Sequence, residues 1–215
     1  MGLLHLSKVP PGFEKLNGLA LFLLSVLPFT LHKIESMETT EKIVESYCRY
    51  VKRWFTIPNI KCKGQYEIDL LAVDTTASHG LGRYHIECGV SIAGGFSKLT
   101  DKPFSTERLK DRIQQAGQRR TIDYFIKRKF ELQEVGAELL KYGFEPGNYR
   151  RIIVTWGFTP NAQSVAKQHG IELWDFPEIL YQIATTHRSH KTYFIDDTAR
   201  TIQLFARAVE QRKFI

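Results

Sequence analysis

From Thr40 onward the apolar residues recur at helical spacing. Ile43, Val44, Tyr47, Val51 and Phe55 form one stripe, and Glu41, Glu45 and Lys52 lie off it. Pro58 ends this helix, with TIPN (56–59) as its exit. The period then shortens. A short strand over about Ile60 to Lys63 turns at Gly64 into the strongly apolar YEIDLLAV (66–73). A polar loop, DTTASHGLG (74–82), leads to RYHIECGVSI (83–92), which Gly94 and Gly95 end. Three strands on short connections predict a meander or paired hairpins.

Helical spacing returns over Thr106 to Phe130, broken near Gly117. Its stripes are Leu109, Ile113 and Ala116, then Ile122, Phe125, Ile126 and Phe130. A helix over about Leu132 to Tyr142 stops at Gly143. The β-branched run RRIIVTWGF (150–158) predicts a buried strand, followed by a helix over Pro160 to Gln168, a strand IELWDF (171–176) and a helix near Pro177 to Thr185. Strand, short helix, strand, short helix at this spacing is a parallel βαβ unit. The whole order predicts an α/β fold with a mixed sheet covered on both faces. A last amphipathic helix carrying Ile202, Phe205, Ala206 and Val209 is expected to pack on the core and end in the basic tail QRKF.

The first 36 residues fit this pattern poorly. LNGLALFLLSVLPFTL (16–31) is apolar but interrupted by Asn17, Gly18 and Pro28. It falls short of the ~20 apolar residues that span a bilayer. The preferred reading is a leader outside the folded core, with METTE (37–41) opening the first helix; a packed helix ranks second and a membrane anchor last. The expected organisation is therefore a leader at 1–36, a core at 37–185 and a helical appendage at 186–215.

Composition changes this picture in two ways. The 215-residue chain carries a net charge of +7, which favours polyanionic partners, nucleic acid first. Between Thr106 and Phe130 eight Lys or Arg face three acids, 8 − 3 = +5. Arg108, Arg112 and Arg119 share a helical face, with Arg120 beside it, and such a stripe can track phosphates; a plain solvated helix face is the competing reading. The three cysteines, Cys48, Cys62 and Cys88, have no CxxC spacing. That argues against a disulfide framework and for a reducing, cytoplasmic setting. No stable membrane association is expected, and the assembly is left open between a homodimer and a partner subunit.

The candidate chemistry lies in two acids that interrupt apolar strands, Asp69 in EIDLLAV and Glu87 in YHIECGVS. Burying such a carboxylate is costly unless a cation or hydrogen bonds compensate it. Residues two apart on a strand share a face, so Glu67 goes with Asp69, and His85 with Glu87 and position 89. If the strands are neighbours, Asp69 and Glu87 converge on one divalent cation. The alternative, that each is a solvent-facing or edge residue, stays open. His85 is read as packed or solvent-facing.

GQYEIDLLAVD (64–74) followed by YHIECGVS (84–91) resembles the D…(D/E)-x-K half-motifs of the PD-(D/E)xK superfamily, nearest to Mrr-like restriction endonucleases. RRIIVTWGFTPNAQSVAKQHGIELWDF (150–176) is similar to that group's later strand, helix and strand. The resemblance covers about Thr40 to Ala184. It implies a restriction-endonuclease-like αβββαβ core, with a mixed central sheet flanked by helices, and Mg²⁺- or Mn²⁺-dependent hydrolysis of phosphodiesters, DNA foremost. Carried across, Asp69 and Glu87 are the metal ligands, and Glu45 or Glu41 is the helix-borne acid of some members. The motif lysine, two residues past the glutamate, is here Gly89. Three readings follow: another cation substitutes (Lys98 first, then Lys102 or Lys63), the chain is a silent nuclease-fold module that binds nucleic acid or protein, or Gly89 is a variant of this chain. If only the cation is missing, Lys at position 89 is expected to raise metal-dependent nicking.

Overall fold

A computed structural model of the chain describes residues 38–77, 82–90, 96–106, 119–188 and 196–212. The leader at 1–36, Arg108 and Arg112 lie outside the described residues. Helix α1 (Thr39–Ser46) opens with a capping box in which Glu38 and Glu41 serve each other's backbone, and it runs on as a π-helical turn, Tyr47–Val51. The strands are β1 (Phe55–Lys61), β2 (Glu67–Asp74), β3 (Gly82–Cys88), β4 (Arg150–Thr155) and β5 (Ile171–Asp175). Between β3 and β4 lie α2 (Ile122–Phe125), continued as a π-helical turn Ile126–Phe130, and α3 (Gln133–Lys141). Helix α4 (Pro160–Gln168) joins β4 to β5, and α5 (Phe176–Arg188) and α6 (Asp197–Arg212) follow.

The protein is α/β, with a five-stranded mixed sheet in the order β1-β2-β3-β4-β5. β1, β2 and β3 pair antiparallel, and β3, β4 and β5 parallel. One face packs Val44, Tyr47 and Cys48 against Leu70, Ala72, Ile86, Ile152 and Val154, closed by Phe176, Ile179 and Ile183 of α5. The other face is covered by α2, α4 and α3 through Phe125, Ile126, Phe130, Ala162, Val135 and Leu139.

Several boundaries differ from the sequence reading. The first helix stops at Val51 and the first strand starts at Phe55 rather than Ile60. Arg53 turns the chain with a left-handed φ of 62°, and Pro58 sits inside β1. That strand pairs on one side only, so a residue without an N–H is tolerated there. Of the stripe expected on the last helix, Ile202 packs on the core beside buried Ala199 and Gln203, but Phe205 is 66% and Val209 58% exposed. Helix α6 packs on α5 and α1. Cys48 and Cys62 are buried, Cys88 is partly buried, and all three are free thiols. Among the described residues no helix is long and apolar enough to cross a membrane.

Candidate metal and phosphodiester site

Strands β2 and β3 pair with Leu70 opposite Ile86 and Leu71 opposite His85. That register sets Asp69 directly across from Glu87, on the same face, where cross-strand side chains meet. Both are buried, Asp69 at 5% and Glu87 at 0% exposure. Asp69 Oδ2 accepts a hydrogen bond from the Cys88 backbone N–H at 2.7 Å.

The compensating cation is Lys129, from the π-helical turn that follows α2. Its Nζ donates to Asp69 Oδ1 at 2.9 Å, lies 2.6 Å from Glu87 Oε2, and reaches the Glu67 carbonyl at 3.2 Å. The contacts with Asp69 and the Glu67 carbonyl are hydrogen bonds, and the contact with Glu87 is an ion pair. The π turn is closed by the Glu131 N–H bonding to the Ile126 carbonyl at 2.9 Å, and single π turns of this kind are frequent at functional sites.

His85 completes the cluster. It is wholly buried, with Nε2 2.7 Å from Glu87 Oε1 and its ring edge-on to Phe130 at 4.9 Å. Burial pushes the imidazole down to about 3, so a neutral ring donates Nε2–H to Glu87. Its Nδ1 has no hydrogen-bond partner among the described residues.

The electrostatics leave the site short of positive charge. Burial, and next the charge of Glu87, push the Asp69 carboxyl up to about 7 despite Lys129. Burial also raises Glu87. For Lys129 burial opposes the charge, but the two carboxylates outweigh it and hold the ammonium well above its ordinary range. Glu41 on α1 is pushed up to about 7, by burial first and by the charge of Asp69 second. Two buried carboxylates therefore share one ammonium, and the charge of Asp69 reaches a third acid, Glu41.

No family model matches the chain. No curated protein matches it either. Among solved structures, the crystal structure of a protein of unknown function, AF1548, is similar over 80% of this chain and 97% of that chain, at 14% identity and a TM-score of 0.42. The chemistry has to be read from the residues themselves.

A divalent cation fits this donor set. Among the described residues no three His, Cys, Asp or Glu side chains are grouped to enclose a metal. Mg²⁺ and Mn²⁺ take hard oxygen ligands, and Mg²⁺ keeps several waters beside one or two carboxylates. Asp69 and Glu87 are such a pair of oxygen donors.

The other expected residues fall elsewhere. Glu45 accepts a hydrogen bond from Thr56 Oγ1 at 3.0 Å and stands 3.9 Å from Arg49; Glu41 is the α1 acid that senses Asp69. Lys98 is exposed beside the Gly157 turn, where Leu99 N–H bonds the Gly157 carbonyl at 3.0 Å. Lys63 and Lys102 are exposed as well. Arg119 is exposed, whereas Arg120 is buried at 8%, so a shared phosphate-tracking surface does not hold for that pair. The expectation of a lysine at position 89 also needs correcting: a Cβ there would come 2.7 Å from Phe125 Cζ, closer than atoms pack. Lys129 had a legible signal, since it falls within the buried stripe of Ile122, Phe125, Ile126 and Phe130, where an unpaired lysine has no reason to be.

Proposed function

We propose that this chain is a metal-dependent phosphodiesterase acting on nucleic acid, DNA foremost, with a PD-(D/E)xK-like site in which Lys129 takes the place of the motif lysine. The observation that carries this reading is the single ammonium lying 2.9 Å from Asp69 and 2.6 Å from Glu87, delivered from a helix opposite Gly89. Asp69 and Glu87 would hold Mg²⁺ or Mn²⁺, which when bound supplies Lewis-acid polarisation of the phosphate and lowers the pKa of water. Lys129 supplies a fixed positive charge in a water-poor site, where it can stabilise negative charge developing on the phosphoryl oxygens. His85 holds Glu87 in one orientation through Nε2–H, as outer-shell partners of ligating groups do. The net charge of +7 supports a polyanionic substrate.

One observation favours a second reading, a silent nuclease-fold module: Lys129 Nζ is already surrounded by three oxygens of the protein itself, Asp69 Oδ1, Glu87 Oε2 and the Glu67 carbonyl. Nicking of supercoiled plasmid with Mn²⁺ separates the two. The enzyme reading predicts metal-dependent nicking by the wild type, lowered ~10²–10³-fold in Lys129→Met and abolished in Asp69→Asn. Equal residual nicking in all three proteins would leave the silent module.

A further inference from the structure

The helix that carries Lys129 runs along β3 in a definite register. Phe125 faces Gly89, Lys129 faces Glu87, and Phe130 faces His85. Side chains four apart on a helix stand roughly 6 Å apart, and alternate residues of a strand about 6.6 Å. The wider π turn over Ile126–Phe130 nonetheless sets Phe125 against Gly89 and Lys129 against Glu87. Such a match holds only if the helix lies close enough for the ammonium to reach both carboxylates.

Gly89 sets that closeness. Its backbone extends the β3–β4 ladder, with the N–H bonding the Val154 carbonyl at 2.8 Å, and no left-handed conformation calls for glycine. What calls for it is space. A Cβ at position 89 would stand 2.7 Å from Phe125 Cζ, 3.3 Å from Phe125 Cε2 and 3.5 Å from Thr155 Cγ2. The Phe125 ring cannot swing aside, because it is 2% exposed within Leu99, Ile122, Ile126 and Ile153. Thr155 is held too, its hydroxyl donating to the Gly157 carbonyl at 2.8 Å.

We propose that Gly89 is a positioning residue: its bare backbone seats the Phe125 ring, and that seat fixes the height and register at which the same helix brings Lys129 to Asp69 and Glu87. A lysine at 89 and a lysine at 129 are thus mutually exclusive ways of supplying one cation, because the side chain of the first fills the volume that Phe125 needs to deliver the second. The inference rests on the reading of Lys129 as the site's lysine, and it reaches beyond it by assigning roles to two residues that touch neither substrate nor metal.

The test compares wild type, Gly89→Ala, Phe125→Leu and the Gly89→Ala/Phe125→Leu pair, and it needs no catalytic activity. Two quantities are read: Tm, and the labelling rate of Lys129 by an amine-reactive reagent, quantified by mass spectrometry against exposed Lys141 in the same sample. Gly89→Ala is expected to lower Tm by roughly 3–10 °C and to raise relative Lys129 labelling by about tenfold or more, as the ammonium is lifted from its carboxylates. Shortening Phe125 in the pair should restore both, and Phe125→Leu alone, which leaves the seat on Gly89 half empty, should raise Lys129 labelling by less than Gly89→Ala does. A lower Tm with Lys129 still protected would reduce Gly89 to ordinary packing and overturn the proposal, as would an unchanged Tm and labelling rate. If Gly89→Ala does not fold, the pair decides: folded and protected supports the proposal, unfolded or freely labelled overturns it. An absence of nuclease activity would sink the enzyme reading and leave these outcomes intact.

Discussion

The two faces of the β2–β3 hairpin are built from alternating residues of the same strands, and they differ in kind. One face presents Leu70, Ala72, Tyr84 and Ile86, all buried among apolar side chains. The other presents Asp69, His85 and Glu87, equally buried, around one ammonium. The apolar face gains stability from every residue it hides. The polar face hides charges whose desolvation their pairing does not fully return, as the raised carboxyls of Asp69 and Glu87 show. A chain that needed only a sheet would have continued the first pattern onto both faces. The second is the kind of local sacrifice found at sites of chemistry.

The largest effect should come from removing the cation. Lys129→Met leaves two buried carboxylates without compensation, and urea unfolding at pH 8 should show a loss of about 3–5 kcal/mol. Adding Asp69→Asn and Glu87→Gln to it should return stability to the wild-type value or above, because a neutral cluster has no charge to desolvate. Next in size, Leu70→Ala on the opposite face should lose about 2–5 kcal/mol as a cavity opens, while Mn²⁺ affinity stays unchanged. Loss of metal binding there would mean that the two faces are not separable.

A smaller effect follows from pH. Asp69 is pushed from 3.8 to about 7 in the folded protein, so the fold holds an extra proton between those values and its stability falls as pH rises through them. His85, pushed from 6.5 to about 3, works in the opposite sense: the fold holds fewer protons there, and stability rises with pH over that window. The two slopes oppose each other in the wild type. Glu41, also pushed up to about 7, and Glu87, raised by burial, add to the falling slope, so stability from chemical denaturation between pH 4 and pH 7 should fall less steeply with pH in Asp69→Asn than in wild type, and more steeply in His85→Phe. The smallest effect separates the two acids of α1. Glu45→Gln should change stability by no more than about 0.5 kcal/mol and leave the Asp69 titration, followed by carboxyl ¹³C NMR, where it was. Glu41→Gln should move that titration down, since a like charge is removed.

Much of this was legible in the chain. Asp69 and Glu87 betray themselves as acids inside apolar runs, and their convergence needed only that the two strands be neighbours. The βαβ unit is written in alternating runs, and Thr159 before Pro160 caps α4, accepting from the Ala162 N–H at 3.2 Å. Distance along the chain hides Lys129, because the segment that carries it returns to β3 from 42 positions downstream of Glu87 (129 − 87). Gly89 read as a missing lysine because a bare sequence carries no volume; only the Phe125 ring shows that the position is full. Glu45 and Glu41 lie four apart on one helix, and periodicity cannot say which end of it reaches the site.

The most direct measurement is a calorimetric Mn²⁺ titration at pH 8 of wild type beside Asp69→Asn and Lys129→Met. Wild type should bind one ion. Asp69→Asn should bind at least about tenfold more weakly, roughly 1.4 kcal/mol. Lys129→Met, relieved of a competing ammonium, should bind at least as tightly as wild type. Equal affinities for wild type and Asp69→Asn would contradict the claim that these two carboxylates hold a hard cation.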